Sequence, residues 1–142
     1  MNAAILTNEF PPEIYGGAGI HVKFLTQELS KLCHIEARCF GSQDVDEDNV
    51  RAIGFSRKLG LDPADDRFQK IFKPLDINLQ WAATLKDIDV IHCHTWYSHF
   101  GGVLASRLLQ CPLILTTHSL EPHRPWKAEQ LGDGGYAMSC WI

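Results

Sequence analysis

The chain opens on Ala3-Ala4-Ile5-Leu6-Thr7, an uncharged run that stops at a polar, Pro- and Gly-rich stretch from Asn8 to Gly19. Short runs that are apolar on both faces read as strands buried in a parallel sheet. Beyond the glycines, Val22, Leu25, Leu29 and Leu32 recur at three- and four-residue intervals, and Ile20 and Phe24 widen the stripe. That spacing predicts an amphipathic helix from about Gly19 to Leu32. His34 to Phe40 reads as a second strand, ended by Gly41, and Val50 to Phe55 as another short one. Between them, Asp44 to Asn49 holds four carboxylates in six positions and is expected to be a solvated loop.

Arg57 to Asp66 is loop-like. From Arg67 to Leu85, Phe68, Ile71, Phe72, Leu75, Leu79 and Ala82 or Ala83 fall at helical spacing. Pro74 in their midst predicts a break near Lys73, with a second helical piece beyond it. Asp89 to Cys93 reads as a strand, Ser98 to Leu109 as a helix with Val103, Leu104, Leu108 and Leu109 inward, and Pro112 to Thr117 as a last strand. After Thr117 the pattern changes: Pro122, Pro125, Gly132, Gly134 and Gly135 dominate, and Trp126 and Trp141 are left with no element to pack in. Strands alternating with helices imply right-handed crossovers. The expected architecture is therefore one α/β domain over 1–142, with a Rossmann-like parallel sheet and helices on both faces. The tail looks cut off, so the domain is expected to be incomplete at its C-terminal end.

Composition narrows the function classes. With 142 residues, 45% of them hydrophobic, the chain can bury one sizeable core. Thirteen Lys and Arg against 17 Asp and Glu leave a formal charge of −4, which argues against a surface for nucleic acid. No apolar run approaches the roughly 20 residues a bilayer requires. The start, MNAAILTNEF, lacks the basic segment of a secretion signal. Five scattered cysteines without a C-x-x-C pair disfavour a disulfide framework or zinc ribbon and fit a reducing cytoplasm.

In a doubly wound sheet, ligands bind at the carboxyl ends of the strands, and three polar groups fall there. Gly16 and Gly17 precede a helix, where backbone N–H groups and the helix dipole suit an anion. The same glycines could equally serve only to turn the chain. His92 and His94 share one face of their strand, with Cys93 opposite. His94 stands nearest the strand end, while His92, deeper in, suits a hydrogen-bonded core residue. His118 ends the following strand, so His94 and His118 are expected to converge on one crevice, where an imidazole can serve as base or hydrogen-bonding group. A rival reading takes His92, His94 and His118 as ligands of zinc in a metal-dependent hydrolase. Glu9 and Glu121 are the only carboxylates near enough to complete that set.

LTNEFPPEIYGGAGIHV, DVIHCHTWYSHFGG and TTHSLEPHRPWKAEQLGDGGYAMSCW together resemble the N-terminal half of bacterial glycogen synthases. The closer likeness is to the actinobacterial-type branch that builds α-1,4-glucan or maltose 1-phosphate. The resemblance runs from Ala3 to Trp141; the acidic segment 43–50 carries no motif. It implies a two-domain retaining GT-B glycosyltransferase, of which the second, nucleotide-binding domain is absent here. It implies that Gly16 and Gly17 approach the distal phosphate and sugar of a nucleotide-glucose, expected to be ADP-glucose, although no residue of this chain discriminates it from UDP-glucose. His94 would contact the donor sugar near the reacting carbon, and His118 would border the same site. Tyr15, Trp96, Tyr97 and Trp126 are placed on the acceptor, a glucan or glucose 1-phosphate, although aromatic packing in the loops explains them equally well. The family needs no metal. Its cations lie in the second domain, so the isolated chain is expected to show little or no transfer. A non-catalytic glucan-binding module is the alternative. Cys93 and Asp133 depart from the family pattern.

Overall fold

The computed structural model describes residues 1–120, 123 and 126–140, with Lys127 and Asp133 described by backbone alone. Glu121, Pro122, Pro125 and Trp141 lie outside the described residues. Strands β1 (Asn2–Leu6), β2 (His34–Phe40), β3 (Asp44–Glu47), β4 (Val50–Phe55), β5 (Val90–His94) and β6 (Leu113–Thr116) form one sheet in the order β3-β4-β2-β1-β5-β6. All neighbours are parallel except β3 and β4. Helices are α1 (Gly17–Leu29), α2 (Gln69–Thr84), α3 (Trp96–Leu109), α4 (Lys127–Leu131) and α5 (Asp133–Ser139), with a 3-10 turn at Asp66–Phe68.

The two-residue period of β1 divides the core. Ala4 and Leu6 join Ile91 and Cys93 of β5 against Ile77 and Trp81 of α2 and Ala105 of α3. Ala3 and Ile5 face the other way, with Ile35, Ala37 and Cys39 of β2 and Val22 of α1. Each Leu or Ile so buried stabilises the fold by about 1.5–3 kcal/mol. The Rossmann-like sheet with helices on both faces is therefore the observed architecture.

Four local expectations are corrected. Asp44 to Glu47 is not a solvated loop but an antiparallel edge strand, β3. Val45 packs on the α1-side core, while Asp44 and Asp46 reach Arg51 of β4 at 2.8 and 3.6 Å. The sheet is consequently mixed, and its acidic edge discourages pairing with another chain.

Helix α2 runs unbroken through Pro74. Proline in the second turn forfeits a single hydrogen bond. Against that loss, Ile71, Pro74, Ile77 and Trp81 are buried on one face, and Asn78 Nδ2 donates to the Pro74 and Tyr97 carbonyls, both at 2.7 Å. The helix ends where Arg38, buried in β2, donates to the Trp81 and Thr84 carbonyls at 3.2 and 3.0 Å.

The inward faces of α1 and α3 are made of smaller residues than the sequence suggests. Helix α3 buries Gly101, Gly102 and Ala105; of the four residues expected inward, Leu104 and Leu109 pack against the core, whereas Val103 and Leu108 are exposed. Helix α1 buries Gly19, Val22 and Thr26, with Leu29 packed on the core; Ile20 and Phe24 are exposed, as is Leu32, which lies beyond the end of the helix. Helices lie close on a sheet when the facing residues are short.

The tail folds as well. Helices α4 and α5 pack under α2, with Leu131 against Ile71 and Trp96. Trp126 is described and 58% exposed. No helix among the described residues is long and apolar enough to cross a membrane, and all five cysteines are unpaired.

Candidate functional site

From β1 the chain leads through α1 to β2 on one side; from β5 it leads through α3 to β6 on the other. The carboxyl ends of β1 and β5 thus border the crevice that such a reversal creates. A cleft of about 420 Å³ opens there, lined by residues 8–9 and 15–18 after β1, 95–97 at the start of α3, and 118–119 after β6. The first turns of α1 and α3 both face it, and neither carries an acidic residue. Their dipoles place partial positive charge at the cleft.

The diglycine bend is built around Glu9. This carboxylate is buried, and its Oε2 accepts the N–H groups of Tyr15 at 3.1 Å and Gly16 at 2.8 Å. A Cβ on Gly19 would stand 2.6 Å from Glu9 Oε2, so glycine is required there to admit the carboxylate. The Gly16 N–H is therefore not the open anion donor that the sequence suggests. Gly17 is exposed on the cleft wall.

Asn8 links the two walls. Its Nδ2 donates to the Tyr15 hydroxyl at 2.5 Å, and its Oδ1 accepts from Thr95 Oγ1 at 3.2 Å. Thr95 has φ 66° and His118 φ 54°. Left-handed backbone at a β-branched residue costs on the order of 1–3 kcal/mol. At Thr95 it is held by the bond to Asn8 and by the Thr95 N–H on the Thr116 carbonyl at 2.9 Å.

The two expected histidines do converge, but they are not equivalent. His94 Nδ1 lies 3.1 Å from His118 Nε2. The His94 side chain has no exposed surface; His118 alone of the pair lines the cleft. His94 meets the cleft through His118, a correction to the expectation that the strand-end imidazole reaches a ligand itself. Among the described residues its buried Nε2 has no partner. A bare lone pair there costs less than an unsatisfied N–H, which assigns the proton to Nδ1, donating to His118. His118 then carries its own proton on Nδ1.

His92 is the hydrogen-bonded strand residue that the sequence indicates, with Nε2 2.8 Å from Thr116 Oγ1 and its ring 4.1 Å from that of His94. The ligand set His92, His94 and His118 does not assemble. Instead His21, one turn into α1, brings its ring within 5.4 Å of His94 and 5.1 Å of His118. Among the aromatics, Tyr15, Trp96 and Tyr97 line the cleft, with the last two stacked at 4.0 Å; Trp126 does not line it. Sequence reading passed over Asn8, Thr95 and His21. Asn8 stands two residues past the end of β1 and Thr95 directly follows β5, positions that mark cleft residues in this topology. His21 carried no such signal.

Burial, followed by the neighbouring imidazoles of His92, His118, His21 and His99, pushes His94 down to about 3. Burial likewise lowers His118, joined by repulsion from His21 and opposed by the Glu9 charge. These rings are neutral at pH 7. The unfolded chain protonates its histidines below the ordinary value of 6.5, while folded His94 does not. Stability is thus whole above that pH and falls as the medium is acidified towards 3. By pH 5 the loss from His94 is about 1–2 kcal/mol. Urea denaturation at pH 7.5 and pH 5 should show it as a lower midpoint with an unchanged slope, and equal midpoints would contradict it.

The family model for Glycosyltransferase Family 4 matches residues 15–141. The chain is 43% identical over all its 142 residues to an alpha-maltose-1-phosphate synthase of Mycolicibacterium smegmatis, of which it covers 34%. Identity to the Mycobacterium tuberculosis protein of the same name is 42%, with the same coverage. Thus the chain spans about a third of the length of these curated relatives. Its fold matches that of sucrose-phosphate synthase from Thermosynechococcus elongatus with TM-score 0.66 at 19% identity, over 97% of this chain and 38% of that one.

Proposed function

Because the chain belongs to Glycosyltransferase Family 4, we propose that it forms one wall of the nucleotide-sugar cleft of a retaining glucosyltransferase. The donor is a nucleotide-glucose, with ADP-glucose the first candidate. Glucose 1-phosphate is the acceptor favoured by the likeness to alpha-maltose-1-phosphate synthases at 42–43% identity, and an α-1,4-glucan is the other. The observation that carries the reading is the convergence of two helix N-termini and His118 on one cleft at the sheet's reversal point.

In the transfer, the bond from the anomeric carbon to the diphosphate oxygen breaks, and a bond from the acceptor 4-hydroxyl forms on the same face. The hydroxyl proton leaves with the diphosphate. The dipole of α3 suits the phosphates, with Gly17 beside them, while the dipole of α1 is partly offset by the Glu9 carboxylate at its N-terminus; fixed dipoles aimed at developing charge lower the barrier. His118 hydrogen-bonds the sugar as a neutral ring, and His94 holds its orientation. Tyr15, Trp96 and Tyr97 offer faces to the acceptor.

Among the described residues that line the cleft none is Lys or Arg. The family resemblance places the cations for the leaving diphosphate in a second domain, so these 142 residues alone are expected to be inactive. The unpaired cysteines suit a cytoplasmic setting. Product analysis tests the reading on the polypeptide that joins this chain to a second nucleotide-binding domain, offered ADP- and UDP-glucose with each acceptor separately. Maltose 1-phosphate or an extended glucan is expected. Absence of glucosyl transfer in every combination would sink it.

A further inference from the structure

The nitrogen atoms that His21, His94 and His118 can offer all lie within 4.8 Å of one another. We propose that these three imidazoles form a binding site for a borderline divalent cation of the zinc class, at the edge of the cleft. Three neutral nitrogens select zinc, copper or nickel over magnesium or calcium, which demand oxygen. Tetrahedral zinc–nitrogen bonds of about 2.0–2.1 Å place ligand nitrogens about 3.3–3.4 Å apart. His94 Nδ1 and His118 Nε2 already stand at 3.1 Å. His21 and His118 are exposed, so an ion reaches them from solvent and side-chain rotation of these two closes the remaining distance.

The ion replaces the proton now held between His94 and His118. That proton moves to His94 Nε2, which has no partner among the described residues; the cost of an unsatisfied N–H there is offset by the new metal–nitrogen bonds, and no proton is lost overall. The Glu9 carboxylate, whose charge already acts on His118, adds attraction for a cation. A fourth position is left to water or to an anionic oxygen from the cleft. If the proposed donor site is right, bound zinc competes with the nucleotide sugar; the binding itself does not depend on that reading.

The test titrates Zn²⁺ into the 142-residue chain by calorimetry, with the visible absorption of Co²⁺ reporting tetrahedral coordination. One ion per chain is expected, with a rise in melting temperature on zinc addition. His21→Ala and His118→Ala should each weaken binding by ~10²-fold or more, the upper end of what loss of an outer-shell partner alone does. His34→Ala, an exposed histidine at the start of β2, should leave it unchanged. Lack of stoichiometric binding in the unmodified chain, or binding that survives His21→Ala and His118→Ala, would overturn the proposal. The readout is binding rather than turnover, so its failure and that of the transferase assay are separable.

Discussion

His118→Ala, in the enzyme that carries this domain, is expected to lower kcat by ~10²-fold or more, with a melting temperature close to that of the parent. The expectation follows from position. His118 lines the cleft and is exposed, so its removal opens no buried cavity, and the His94 Nδ1–H that it leaves without its acceptor becomes open to water from the cleft. His94→Ala supplies the contrast. That side chain is fully buried between His92 and His118, and its loss should reduce stability as well as kcat, the usual outcome of a buried truncation. Steady-state kinetics and thermal melts on both variants separate the two roles. Near-normal turnover in His118→Ala would remove this residue from the reaction, whatever His94→Ala does.

The second large effect lies behind the site. Gly102→Ala should destabilise the domain by about 2 kcal/mol or more, although alanine favours helices over glycine by about 1 kcal/mol. A Cβ at Gly102 would overlap Cys93 Sγ, on the strand that carries His92 and His94, and would stand 3.1 Å from Leu113 Cδ1. Both neighbours belong to the packed core and cannot step aside cheaply. Removing the sulfur resolves the overlap, since the Cys93 Cβ would be an ordinary 3.7 Å away. Cys93→Ala with Gly102→Ala should therefore recover much of the loss, a coupling that denaturant melts of the two single variants and the double variant measure. Simple additivity of the two singles would mean that α3 shifts on the sheet instead.

Gly102 also shows how legibility varies along the chain. Short, largely apolar runs between breaks made β1, β2, β4, β5 and β6 readable to within a residue or two, because a strand buried on both faces of a sheet needs no polar side. Strand β3 instead alternates, in Asp44-Val45-Asp46, and its charges hid it until Arg51 of β4 was seen to meet them. In α2, the rule against proline gave way to burial of Ile71, Ile77 and Trp81, an energy that no local window contains. The inward faces of α1 and α3 were misjudged for a related reason. Size decides which side of a helix can approach a sheet, and Gly101, Gly102 and Ala105 give no hydrophobic signal.

Of the site, the residues at strand ends were legible from order alone: strands alternating with helices put Gly17, His94 and His118 at one rim. Which of them meets a ligand was not. His94 is sealed by the ring of His118, Gly16 gives its N–H to Glu9, and His21 arrives from a helix on the far side of the bend. These outcomes depend on distances between segments up to about a hundred residues apart, which only the packing of α1 and β6 against the β1–β5 pair determines. The local periodicity of this chain dictates its strands, their faces and their common rim; burial and hydrogen-bond competition among distant groups decide the chemistry at that rim.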